Sequence, residues 1–310
     1  MAASSSTARS DASRWRALYW IVPAVIVVLA VIVLGARWLR SLDAVQDFLT
    51  TYPGSSTLPG WAPVGFTAWV AVLHGLNVLF MLLIVRSGWK LRAKGRPAAF
   101  WKRNNGGLIR TPGQPVRISL TLWWHLSLDA LWVTCGVLFV ILLFVTGQWV
   151  RIVPVHWDVI PNALSAALQY VSLDWPTEDG WTNYNALQLV TYGITVFIAG
   201  PLALLSGLRL SPGLAKWWRP IDKRFTLGAA RILHITVMVY FVVFTIVHVT
   251  LVLATGALRN LNHMYGLRDD TTWIGFSIFA ASLIVMAALW LLARPTLLRP
   301  VASLTGTVSR

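Results

Sequence analysis

The chain holds six histidines: His74, His125, His156, His234, His248 and His263. Four lie within apolar stretches long enough to cross a bilayer. His156 and His263 fall in connecting segments and are expected at the surface. The stretch 231–250, RILHITVMVYFVVFTIVHVT, carries His234 and His248, 14 positions apart. Fourteen residues turn an α-helix through about 1400°, some 40° short of four turns, and advance it about 21 Å. The two imidazoles therefore share one helix face, one near each side of a membrane. A single metal ion cannot use both. Two stacked cofactors can, and each then needs a second ligand from another helix.

The composition supports a membrane setting for this chemistry. The chain has 310 residues, of which 56% are apolar and 12% charged, where a soluble domain has about 25% charged. Its mean hydropathy is +0.65. These values place it among polytopic membrane proteins, and its 18 tryptophans suit the membrane–water interfaces. The net charge of +15 does not indicate nucleic acid, because the cations lie between apolar runs and no basic, aromatic-laced soluble face is present. Cys135 is the one cysteine. That excludes an intrachain disulfide, covalent c-type haem attachment through CxxCH, and Cys-ligated zinc or iron–sulfur sites.

Six runs can span a bilayer as helices: 18–36, 66–86, 119–146, 184–207, 229–255 and 272–293. Each is near the ~20 residues a spanning helix needs. Segments 87–118 and 208–228 are rich in Lys and Arg, whereas 37–65, 147–183 and 256–271 are poor in them and hold most of the acids. The positive-inside rule then puts the basic loops and both termini in the cytoplasm. A polar tail is expected over 1–17 and a C-terminal tail over 294–310. Within 147–183 the apolar spacing suits a short interfacial helix, either a cap over the bundle or a lid.

This topology assigns depths to the histidines. His125 and His234 start helices that run outward, so both are inner. His74 starts an inward-running helix and lies at the outer side with His248. The expected pairs are His125 with His234 and His74 with His248. Two imidazoles on facing helices in an apolar surround suit an iron porphyrin with two axial nitrogens. Gly75, Gly136, Gly200 and Gly228 are candidates to give the porphyrin plane clearance. Arg231, three residues before His234, and Arg117 are candidates to meet haem propionates, or are ordinary positive-inside residues. Asp129 is placed to orient an imidazole or to move protons.

Four segments resemble the prokaryotic cytochrome b561 superfamily, the di-haem membrane subunits of formate dehydrogenases, nickel–iron hydrogenases and thiosulfate-reductase-type complexes. They are LHGLNVLFMLLIVRSG with His74, WWHLSLDALW with His125, NYNALQLVTYGITVFIAGPLALLSGLRLSPG, and ARILHITVMVYFVVFTIVHVTLVLATGALRNLNHMYG with His234 and His248. The resemblance covers about residues 60–268. It implies an all-α membrane bundle with a four-helix di-haem core, flanked here by one extra transmembrane helix at each end. It implies two non-covalent haem b groups with His74, His125, His234 and His248 as axial ligands, in a bacterial plasma membrane. A YNAxQ stretch lies near the quinone site in the formate dehydrogenase subunit. Here the match is Asn185 and Gln188, for which helix capping is the other reading.

The function implied is transfer of electrons between a membrane quinone or quinol and a partner redox subunit of molybdopterin or hydrogenase type. The extra first helix inverts the core relative to the formate dehydrogenase subunit, which would put that partner on the cytoplasmic face. No dehydrogenase motif or nucleophile–base set is present, so the chain is expected to be an electron-transfer subunit rather than a stand-alone catalyst. The alternatives are a proton-coupled transporter or channel using its intramembrane histidines, and a non-redox membrane anchor.

Overall fold

The computed structural model describes residues 5–93, 95–106, 114–175 and 180–310, with the backbone alone for 5–18 and 215–217. Lys94 and Arg110 of the basic loop, and residues 1–4 of the expected tail, lie outside the described residues. Six helices are long and apolar enough to cross a membrane, as in a multi-pass membrane protein: Tyr19–Arg40, Ala68–Arg92, Leu120–Val145, Ala186–Leu210, Leu227–Ala254 and Ile274–Leu292.

The first belongs to α1 (Ser5–Arg40), which starts within the expected N-terminal tail because no glycine or proline interrupts 5–22. Its far end is longer than hydropathy alone suggests. Arg37 donates to the Ser172 carbonyl at 3.0 Å, and Arg40 reaches Ser172 Oγ at 2.7 Å and Asp174 at 2.6 Å. After the short α2 (Asp43–Thr51) come α3 (Ala68–Arg92) and α4 (Leu120–Val145). The fourth span combines α6 (Ala186–Ile194), a π turn at Thr195–Ala199, and α7 (Gly200–Leu210). The π turn accommodates Pro201, which has no N–H to donate and whose ring would strike the carbonyl four residues back in a regular helix. The fifth and sixth spans are α8 (Leu227–Ala254) and α10 (Ile274–Leu292).

The central helices form two hairpins, α3 with α4 and α7 with α8, whose backbones pack closely within each hairpin. The hairpins meet at mid-height, where Ala199, Val237 and Phe241 pack against Met81 and Trp132. Above and below that apolar layer lie the histidines.

The end bearing the loops 93–119 and 211–226 is the basic end. An all-helical chain with a C-terminal tail was expected there, and the structure differs. Residues 294–310 are folded into α11 (Pro295–Ser303) and β3 (Gly306–Ser309). Strand β3 joins β1 (Phe100–Arg103) and β2 (Arg117–Ser119) in an antiparallel sheet of order β2-β1-β3. Trp101, Ile118 and Val308 turn inward from it onto Leu120, Trp123 and Ala302. At the far end, α5 (Val159–Val171) fills the position expected for a short interfacial helix and packs on α6, with Asn162, Ser165 and Ala166 buried. The far end also holds α9 (Ala257–Leu261) and a π turn at Asn262–Gly266.

Candidate functional site

The four intramembrane histidines come together in two pairs. His125 and His234 have ring centroids 6.3 Å apart at the basic end. His74 and His248 are also 6.3 Å apart, at the far end. These gaps are too wide for a hydrogen bond and too narrow for a layer of side chains. Two metal–imidazole bonds of about 2.0 Å, in line across one ion, put ring centroids about 6 Å apart. No group of three or more His, Cys, Asp or Glu fit to hold a metal ion by itself is present among the described residues. A porphyrin supplies four nitrogens of its own, so two imidazoles complete its iron. The donor set therefore suits an iron porphyrin at each pair.

The basic-end pair is oriented by one device used twice. Ser87 Oγ lies 2.8 Å from His125 Nδ1, and Ser206 Oγ lies 3.0 Å from His234 Nδ1. Each serine donates its own proton to its helix, to Ile84 O at 2.9 Å and to Leu202 O at 2.7 Å. With its proton on the helix, each serine oxygen is left to accept, an arrangement that would carry the imidazole proton on Nδ1 and leave Nε2 free to donate to a metal. The next residue is glycine in both cases. A Cβ on Gly88 would stand 3.3 Å from His125 Cε1, and one on Gly207 would stand 3.5 Å from His234 Cε1. Beside this pair a crevice of about 350 Å³ separates Trp89 and Arg92 of α3, and the following Ala93, from Ile235, Met238 and Val239 of α8.

The far-end pair is held differently. Tyr192 OH lies 3.4 Å from His248 Nδ1, and the Tyr265 ring packs edge-on to His74 at 6.0 Å. His74 Nδ1 is buried with no hydrogen-bond partner among the described residues.

The other sequence candidates divide. Gly75 and Gly136 face open space, while Gly200 and Gly228 lie against oxygens of Thr195 and Thr226. Arg231 is exposed on the first turns of α8. Arg117 instead binds Ser309 Oγ and the Arg310 carbonyl and covers the Phe100 ring at 4.1 Å, so it fastens the C-terminal strand. Asp129 lies 3.7 Å from His125 Nε2, on the opposite side of the ring from Ser87, and so does not set the tautomer. Asn185 and Gln188 form a capping box at the start of α6, and buried Asn185 also donates to Tyr170 OH at 2.8 Å.

His156 is exposed. His263, expected at the surface, is buried, with 3% exposure. It stacks on Phe66 and packs at a tilt against Trp181, and its Nε2 meets Asp269 at 2.7 Å. Next to it, buried Arg151 donates to the carbonyls of Gly65, Gly180 and Trp181 and lies over the Phe66 and Tyr184 rings. Gly65 sits at φ +79° with the Trp181 ring where a Cβ would be. Burial pushes the Tyr184 phenol up to about 12, with Arg151 pulling the other way. Hydrogen bonds from Arg259 and then His263 hold the Asp269 carboxyl well below the usual carboxylate range.

Sequence reasoning paired the histidines by depth but missed Ser206, Gly207 and His263. The Ser-Gly dipeptide recurs at 87–88 and 206–207, near the basic ends of α3 and α7, a signal that was available. His263 gave none, since its burial depends on Phe66 and Trp181 from distant loops. No protein-family model, curated protein or solved structure matches the chain.

Proposed function

We propose that the chain is a membrane-bound di-haem b-type cytochrome that passes electrons between a quinone or quinol and a partner redox subunit. The observation that carries this reading is the occurrence of two facing imidazole pairs, each 6.3 Å apart, at opposite ends of one helix bundle. A haem b bound at each pair supplies one-electron chemistry on either side of the membrane. The protein's part is to hold His74, His125, His234 and His248 as axial ligands and to keep water out with the layer of Val237, Phe241, Met81 and Trp132.

The four-helix core over 60–268 does this work, and the spans at 18–36 and 272–293 flank it. The basic end is cytoplasmic, in a bacterial plasma membrane, with both termini on that side. Arg231, exposed one helical turn before His234, would be available to the propionates of a haem held there. The partner subunit docks at this end. The quinone reacts at the far end beside His248, where Gln188, ordered by its capping box with Asn185, offers an amide to a quinone carbonyl.

The test is a reduced-minus-oxidised visible spectrum of the purified protein, with a pyridine haemochrome assay. Two b haems per chain are expected. A folded, detergent-stable protein without haem overturns the proposal and leaves the histidines as a proton path or as packing.

A further inference from the structure

The two pairs differ in how their Nδ1 atoms are engaged. At the basic end both Nδ1–H groups donate to a serine oxygen whose own proton is committed elsewhere. At the far end the oxygen facing His248 Nδ1 is Tyr192 OH, at a longer 3.4 Å, and His74 Nδ1 has no partner among the described residues. A hydrogen bond accepted from Nδ1–H moves electron density toward Nε2 and makes it the stronger donor to a metal. A stronger donor favours the more highly charged, oxidised state of the iron.

We infer that Ser87 and Ser206 are positioning residues that give the basic-end histidines the stronger donor character, so that electrons run from the basic-end centre to the far-end centre. This rests on the di-haem reading. In each exchange one electron leaves the lower-potential centre and one arrives at the higher, with no bond made or broken. The donor is the reduced partner protein and the acceptor is the quinone.

Charges near the basic end oppose this effect only weakly. Lys90, Arg92 and Arg231 favour the reduced state there, but they are exposed and screened by salt. Arg86 is turned away, donating to Ala293 O at 2.9 Å and lying 5.0 Å over Trp290. The Asp129 side chain, 3.7 Å from His125 Nε2, adds to the serine effect when ionised.

The experiment is a spectroelectrochemical titration of the full chain in detergent. Wild type is compared with Ser87→Ala, Ser206→Ala and Ser87→Thr, and with His248→Ala as the one-centre reference. Two steps are expected in wild type, with His248→Ala keeping the lower. Each serine-to-alanine variant raises the lower step by about fivefold in the reduction equilibrium constant, as for one lost hydrogen bond. At 59 mV per tenfold that is about 40 mV. Ser87→Thr, which keeps the hydroxyl, titrates like wild type. A lower step unmoved in both alanine variants overturns the inference, and so does a His248→Ala protein that keeps the higher step. In either case haem is present and the di-haem reading stands. A preparation without haem overturns both.

Discussion

His125 and His234 face each other at the same 6.3 Å that separates His74 from His248. Neither pair adjoins in sequence, and the two ligand sets come from different helix ends. What they share is a pair of hairpins held at a fixed spacing by the layer of Phe241, Val237, Met81 and Trp132. That layer lies between the two gaps.

The glycines beside the basic-end rings are expected to be intolerant of bulk. Replacing Gly88 or Gly207 with valine puts a branched side chain where a Cβ alone would stand 3.3 or 3.5 Å from an imidazole carbon. Overpacking of this kind costs about 1–3 kcal/mol, concentrated here on one ring. Haem content should fall to about half of wild type, measured as haem per protein, with the remaining haem held by His74 and His248.

Asn185 and Gln188 should separate into a structural and a functional member. Asn185→Ala removes the cap and the bond to Tyr170, and should lower stability by about 1–2 kcal/mol. Gln188→Ala should slow oxidation of the reduced protein by quinone more than it lowers the thermal midpoint. Melting curves and stopped-flow oxidation of the same preparations test this, and a Gln188→Ala protein oxidised at the wild-type rate would remove Gln188 from the quinone site.

Acid should loosen the far end. The Asp269 carboxyl is held below its unfolded value of about 3.9 by Arg259 and His263. A depressed carboxyl adds stability above its unfolded pKa and loses it as pH falls toward the folded one. The wild-type melting temperature should therefore drop as pH falls below about 5. Asp269→Asn should melt lower at neutral pH and show a shallower drop over the same window. Equal slopes would mean that other groups carry the acid response.

Much of the bundle was legible in the sequence because lipid imposes a single rule along the chain. Apolar length marked all six spans, and the 14-residue spacing of His234 and His248 fixed a shared face. The limits of that rule mark what was missed. The sheet arises from short strands whose pairing joins Phe100 to Ser309 across most of the chain, which local hydropathy does not reveal. His263 is buried by Phe66 and Trp181, and polar loop composition suggested the opposite. Ser206 shows only half of itself in sequence: the recurring Ser-Gly pair marks the position, but its hydroxyl satisfies its own helix at Leu202, so the facing helix is needed to show its second use.

The pairing itself is the central claim, and double variants test it most directly. Haem per chain would be measured in His125→Ala/His234→Ala, in His74→Ala/His248→Ala, and in the crossed double His125→Ala/His248→Ala. Each within-pair double should keep one b haem, and the crossed double should keep none. A crossed double that keeps one haem, or a within-pair double that loses both, would contradict the pairing.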